Sequence, residues 1–246
     1  TTWIATQRGL AYIKNNKVYD FENRIEKKWI YSDGLAQQII TTQSIRKVVV
    51  DNNNIIWVGT WSGGLFRINN NAVYRFTQKD GLTDLSIRGI QIDPQNNIWV
   101  STRYGGVCKY DGKSFIAYST KNGLKSNWVF SVETDYNQNL WFCTANGLTK
   151  HDGYKSVTYD ASNGINSAEI ISSTKLDGKL WFLSNSQIFS YKPEEKDNPF
   201  SYPKIIFRQV KLIDGILPST DSALTNIDSD INSILAKSKI APQLVE

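Results

Sequence analysis

The sequence predicts an all-β chain: a β-propeller of about five four-stranded blades, part of a larger propeller, with a short C-terminal strand and a C-terminal helix. Two sets of observations carry that expectation. The first is a ladder of tryptophan motifs, Thr2-Trp3-Ile4-Ala5-Thr6, Ile56-Trp57-Val58-Gly59-Thr60, Ile98-Trp99-Val100-Ser101-Thr102, Leu140-Trp141-Phe142-Cys143-Thr144 and Leu180-Trp181-Phe182-Leu183-Ser184, whose last three intervals are 42, 42 and 40 residues. The second is a pair of companion ladders in fixed order after each Trp. One runs through Gly9-Leu10, Gly64-Leu65, Gly106-Val107 and Gly147-Leu148, with Gln187-Ile188 as a degenerate fifth; the other through Asp33-Gly34-Leu35, Asp80-Gly81-Leu82, Asn122-Gly123-Leu124 and Asn163-Gly164-Ile165. Between these markers, apolar or alternating runs of four to six residues are broken by Asp, Asn and Gly turns, the grammar of strands and hairpins. A period near 40 with four strands per period is that of a propeller blade.

Taken in order, the repeats fall near 1–35, 36–82, 83–124, 125–165 and 166–192. The first Trp lies 54 residues before the second, so the first unit carries an insertion, expected around Phe21 to Trp29, and it lacks an inner strand. In the third blade the strands are expected at 88–93, 98–102, 107–110 and 115–119. Each repeated Trp then lies on a second strand and packs blade against blade, an indole of ~200 Å² contributing up to about 5 kcal/mol. Residues 193–215 are expected to form a linker and the first strand of a following β-sandwich-like domain. In the tail, 216–246, Asp221 can cap a helix whose stripe of Leu224, Ile227, Ile231, Ile234 and Leu235 is expected to pack on the domain.

Composition narrows the function classes. The 28 basic and 23 acidic residues give a net charge of +5 without a basic stripe, which argues against a nucleic-acid partner. Cys108 and Cys143 lack metal-ligand spacing and read as small buried hydrophobes. No stretch approaches the ~18 apolar residues of a membrane span. The sequence has no Met, so Thr1 is not expected to be a translation start. No cofactor is implied.

Propeller topology places the loop between second and third strands, and the connection from outer strand to next inner strand, on one side of the disk. Trp61, Arg103 and Tyr104 fall in the first kind of loop. Arg88, Asn127 and Trp128 fall in or beside the second, with Asp84, Ser86, Ser126, Asn166 and Ser167. Trp61 and Tyr104 are read as aromatic residues at equivalent positions. Aromatic planes flanked by Arg, Asn and Asp suit sugar rings, whose C–H faces stack while their hydroxyls need donors and acceptors. Packing of turn residues between blades is the competing reading. The turn glycines need only a backbone explanation.

The succession Asn-Ile-Trp-Val-Gly-Thr, Gly-Gly-Leu-Phe-Arg and Asp-Gly-Leu resembles the two-component-regulator propeller repeat, and the resemblance covers residues 1 to about 192. It implies the periplasmic sensor region of a hybrid sensor histidine kinase, binding an oligosaccharide or similar nutrient. Tyr202 to Gly215 looks like the opening strand of the β-sandwich that follows such propellers. Partners so implied are the remaining blades and signalling domains of the same receptor, with association of two chains as a further expectation. Two other classes compete. Similar repeats occur in a propeller lyase that inactivates streptogramins through a catalytic His, but the one His here, His151, reads as a solvated turn residue on the opposite face. A protein-interaction scaffold would use the same loops or blade edges.

Overall fold

The computed structural model describes residues 2–21, 29–165 and 168–192. The expected strand within 193–215, the tail helix, Asn166, Ser167 and most of the expected insertion lie outside these residues.

Strands β1 (Thr2–Thr6), β2 (Gly9–Lys14) and β3 (Lys17–Asp20) form an antiparallel sheet with Trp3 on its first strand. After the short strand β4 (Ile30–Tyr31) and helix α1 (Gly34–Thr42), the second blade comprises β5 (Ile45–Val50), β6 (Ile56–Thr60), β7 (Leu65–Asn69) and β8 (Ala72–Phe76). The third comprises β9 (Ile87–Ile92), β10 (Ile98–Thr102), β11 (Val107–Tyr110) and β12 (Phe115–Tyr118), each strand within a residue of its expected span. The fourth follows with β13 (Val129–Thr134), β14 (Leu140–Thr144), β15 (Gly147–His151) and β16 (Ser156–Tyr159), and β17 (Ile170–Leu176), β18 (Lys179–Ser184) and β19 (Ile188–Tyr191) form the last sheet. Apart from β4, every sheet is an up-and-down meander, and the inner strands β5, β9, β13 and β17 lie beside one another in turn. This is a run of propeller blades.

The Trp ladder builds the blade-to-blade core. Trp57, Trp99 and Trp141 are each at most 3% exposed. Trp57 meets Tyr110 of the next blade with ring centroids 5.6 Å apart, Trp99 meets Phe142 at 5.9 Å, and Trp141 meets Phe182 at 5.4 Å and Tyr191 at 4.8 Å. Each indole N–H donates to an aspartate six residues earlier: Asp51 at 3.0 Å, Asp93 at 2.9 Å and Asp135 at 2.9 Å. The other carboxylate oxygen of each accepts from backbone N–H groups two and four residues on, which closes the hairpin between inner and second strands. One buried side chain therefore fixes a turn and anchors the blade's largest ring. In the last sheet the turn shortens to Asp177-Gly178, with Asp177 at φ 51°, and the buried Trp181 indole nitrogen has no hydrogen-bond partner.

His151 departs from expectation. Rather than sitting in a solvated turn, it ends β15, pairs with Leu140 and is 6% exposed. Its ring lies 5.4 Å from Tyr118 and 6.0 Å from Trp99, both on the preceding blade, and Nδ1 is 3.2 Å from Ser156 Oγ. It fills the place that Tyr110 and Tyr191 hold in neighbouring blades, opposite the residue that precedes the repeated Trp. Burial lowers its pKa below the ordinary 6.5, so the neutral imidazole is favoured. Cys108 and Cys143 are buried and free, as expected.

The Asp-Gly-Leu marker takes two forms. At Gln78–Asp80, Thr120–Asn122 and Ala161–Asn163 it is a single 3-10 turn with a capping box, closed by Gly81, Gly123 and Gly164 in the left-handed region, followed by the buried Leu82, Leu124 and Ile165. In the first unit Asp33 instead caps α1, accepting from the Ala36 N–H at 2.7 Å, and Leu35 is exposed while Ala36 and Ile40 turn inward. The extra length of the first repeat is thus divided: seven residues precede Gly34, and five lie between Gly34 and Trp57, where α1 takes them up. The short β4 pairs in parallel with β8, extending the outer edge of the second blade.

Candidate functional site

The loops named from sequence do emerge on one side. The backbone N–H of Trp61 donates to Ser44 O, that of Arg103 to Ser86 O and that of Ala145 to Trp128 O. Similarly, the Gly64, Gly106 and Gly147 N–H groups donate to Leu85, Asn127 and Ala168. Each loop between second and third strands is thus stitched to the connections on either side of its blade. The loops are also braced internally, because the Thr60, Thr102 and Thr144 hydroxyls donate to the carbonyls of Gly64, Gly106 and Gly147. Those glycines have φ between 77° and 106°, and a Cβ on any of them would strike a backbone carbonyl of the outer strand. The rim is a rigid platform.

These hydrogen bonds correct one element of the sequence reading. Trp61 is equivalent to Arg103 and Ala145, and Tyr104 to Ser62, so Trp61 and Tyr104 are one position out of step. They still belong to one cluster, because an arginine joins them. The Arg103 guanidinium carbon lies 5.4 Å from the Trp61 ring centroid, 4.9 Å from Tyr104 and 5.4 Å from Trp128. Arg88 lies 4.5 Å from the same Trp61 ring, and Tyr104 and Trp128 are 5.8 Å apart. Five of the six candidates, Trp61, Arg88, Arg103, Tyr104 and Trp128, therefore meet at one place.

The sixth, Asn127, serves the scaffold: its carbonyl accepts from Gly106 and its side-chain oxygen from the Thr120 N–H at 2.8 Å. Asp84 is likewise committed, one oxygen accepting from the Ser86 N–H at 3.0 Å and the other from the Tyr104 N–H at 2.9 Å.

Sequence reasoning missed Arg46 and Phe130. Arg46 has its guanidinium 4.0 Å from the Trp61 ring, and Phe130 lies 5.4 Å from Trp128. A bulge places them. In every inner strand from β5 to β17 the register slips by one residue near its start, and the residue left unpaired is Arg46, Arg88, Phe130 or Ile171. A bulge residue is free of the ladder and aims its side chain off the strand's alternation. Arg46, Arg88 and Phe130 stand 42 residues apart in succession, so the repeat period would have found the missing two from Arg88 alone.

Electrostatically the cluster is cationic. Among the described residues no carboxylate lies within ion-pair distance of Arg46, Arg88 or Arg103. Burial first, then repulsion from Arg103 and Arg46, lowers the pKa of Arg88, which at neutral pH stays charged. The Nε atoms of Arg88 and Arg103 and the indole nitrogen of Trp128 are buried without a partner. Tyr104, 61% exposed, opens the cluster to solvent. Further round the same face, a cleft of about 490 Å³ lined by Lys125, Asn146 and Asp160 is bridged by a Lys125–Asp160 ion pair of 2.6 Å. Among the described residues no group of acidic, His or Cys side chains could hold a metal, and no helix is long and apolar enough to cross a membrane.

Blade architecture and a rigid, loop-built rim define a β-propeller with a candidate binding face. The model of the two component regulator propeller matches residues 81–104, a segment that opens at Gly81 and closes at Tyr104, and the chain carries that repeat as its sequence motifs implied. No curated protein matches the sequence. Among solved structures, the fold is similar to the extracellular domain of BT3049 of B. thetaiotaomicron, described as a hybrid two component system, with TM-score 0.61 and 20% identity over 77% of this chain and 25% of that one. It is similar also to the extracellular domain of BT4673 of the same organism, with TM-score 0.59 and 16% identity over 85% of this chain and 29% of that one. Virginiamycin B lyase from Staphylococcus aureus gives TM-score 0.56 and 14% identity over 77% of this chain and 62% of the enzyme. The chain thus spans between a quarter and a third of the two extracellular domains.

Proposed function

We propose that the chain is part of the periplasmic sensing propeller of a two-component signalling receptor, itself non-catalytic, and that its rim binds an oligosaccharide. The remaining blades and the signalling domains of that receptor are its partners. The observation that carries this reading is the convergence of Trp61, Tyr104 and Trp128 with Arg88 and Arg103 on one rigid rim: flat apolar faces beside a surplus of N–H donors, the chemistry a sugar ring requires. The repeat at residues 81–104 and the likeness to extracellular domains of two-component systems support the setting. Two facts favour binding over lyase chemistry. His151 lies at the end of β15 far from the rim, buried between blades, and burial pushes the Cys143 thiol up to about 11, which keeps it protonated.

Thermal unfolding against a panel of oligosaccharides tests the proposal. A ligand held at a hundred times its Kd adds about 2.7 kcal/mol to stability. The expected result is a stabilising sugar whose effect disappears in the Trp61→Ala, Tyr104→Ala double variant. Stabilisation that survives in that variant would move the site elsewhere, and no stabilisation by any sugar would remove the proposal.

A further inference from the structure

We propose that the ligand of this rim is an acidic saccharide, and that Arg46, Arg88 and Arg103, gathered around Trp61, receive its carboxylate or sulfate group. The inference rests on the reading that the rim binds a sugar and adds its charge. Three guanidinium carbons lie 4.0, 4.5 and 5.4 Å from one indole centroid. Like charges gathered round one ring repel one another, and cation–π attraction to the indole offsets part of that repulsion.

Elsewhere among the described residues two half-buried lysines pair with acids, Lys125 with Asp160 at 2.6 Å and Lys175 with Glu133 at 4.0 Å. Here no acid among the described residues stands within ion-pair distance. The nearest candidate, Asp84, has both oxygens committed to backbone N–H groups. The unpartnered Nε atoms of Arg88 and Arg103 leave donor capacity unused in a partly buried place, where an unmet donor is costly.

A guanidinium held over an indole can keep its N–H groups off the ring, and two such N–H groups match the two oxygens of a carboxylate or sulfate in a bidentate grip. Tyr104 and Trp128 continue the aromatic surface along which the rest of the sugar extends. The bulges reinforce the point: four blades place an unpaired residue at this register, and the two arginines among them, Arg46 and Arg88, are the two that flank Trp61.

Calorimetric titration of the full 246-residue chain with two matched pairs of probes provides the test. One pair is an oligogalacturonide trimer and its fully methyl-esterified form; the other is a sulfated galactose tetrasaccharide and its desulfated form. We expect the charged member of at least one pair to bind about tenfold more tightly than its neutral counterpart, with that advantage shrinking between about 50 and about 500 mM salt. The pair that shows it tells uronate from sulfate recognition. In the Arg88→Met, Arg103→Met double variant the ratio of charged to neutral affinity should fall to about one, while its melting temperature equals or exceeds that of the parent because repulsion has been relieved. If that variant fails to fold, Arg46→Gln, at an exposed side chain, replaces it: a reduced ratio supports the proposal and an unchanged ratio overturns it. Equal binding of charged and neutral members overturns this inference and leaves sugar sensing intact. Binding by none of the four overturns both.

Discussion

The two ends of the same strands obey different rules. At the end where inner strand turns into second strand, the second, third and fourth blades repeat one device residue for residue: an Asp accepts from the turn and from the indole of Trp57, Trp99 or Trp141. At the opposite end the backbone repeats just as faithfully, with the same braced loops, the same bulge and the same positive-φ glycine, yet the side chains at equivalent places are Trp61, Arg103 and Ala145, or Arg46, Arg88, Phe130 and Ile171. Where side chains carry the fold they are constant, and where only the backbone carries it they diverge. Divergence of that kind is permitted by the architecture, and Trp61, Arg46, Arg88 and Arg103 among the divergent residues meet in one cluster.

Breaking the constant backbone of the rim should cost most. Gly106→Ala places a Cβ against the Tyr118 carbonyl at a φ of +77°, so neither backbone can yield cheaply; a loss of about 4 kcal/mol in urea unfolding is expected. A loss under about 1 kcal/mol would show that the loop relaxes and the platform is less rigid than its hydrogen bonds indicate. Next comes the constant side chain of the other end. Asp93→Ala leaves the Trp99 indole and the N–H groups of Gln95 and Asn97 without their acceptor, for an expected loss of about 3 kcal/mol with ligand affinity at the rim unchanged. Affinity that fell in step with stability would show that the two ends are coupled.

The smallest effect concerns His151. Its folded pKa is depressed, so the unfolded chain binds the extra proton more readily: its share of stability is full above about pH 6.5 and is lost as pH falls from there through the lower folded value. His151→Tyr, the residue that neighbouring blades use, should abolish this acid-side decline while changing stability at pH 8 by no more than about 1 kcal/mol. An unaltered pH profile in the variant would assign the decline to other groups.

How legible each end was follows from the same contrast. The strands around Trp57, Trp99 and Trp141 were readable because period, pattern and packing all repeat together. The aspartates were seen as turn formers but not as indole acceptors, since a six-residue separation becomes a contact only after the hairpin folds back. His151 looked like part of its Asp-Gly turn because polarity was weighed above register; its partner Leu140 shows that the strand runs one residue further. Asp33-Gly34-Leu35 matched the later markers in letters but not in conformation, because a nine-residue helix follows it where the others have one 3-10 turn. At the rim, five of six candidates converge, but Arg46 was passed over and Trp61 misaligned with Tyr104, because a one-residue bulge shifts which side chains share a face without changing composition.

That single unpaired residue per blade has a further consequence. Pairing along the ladder constrains every other inner-strand position to alternate between faces, so most substitutions there are judged by the neighbouring strand. The bulge position escapes that judgement, and successive blades offer it in succession around the disk. A scaffold built this way keeps a short variable alphabet, one letter to a blade, that can be respelled without rewriting the grammar of the sheet.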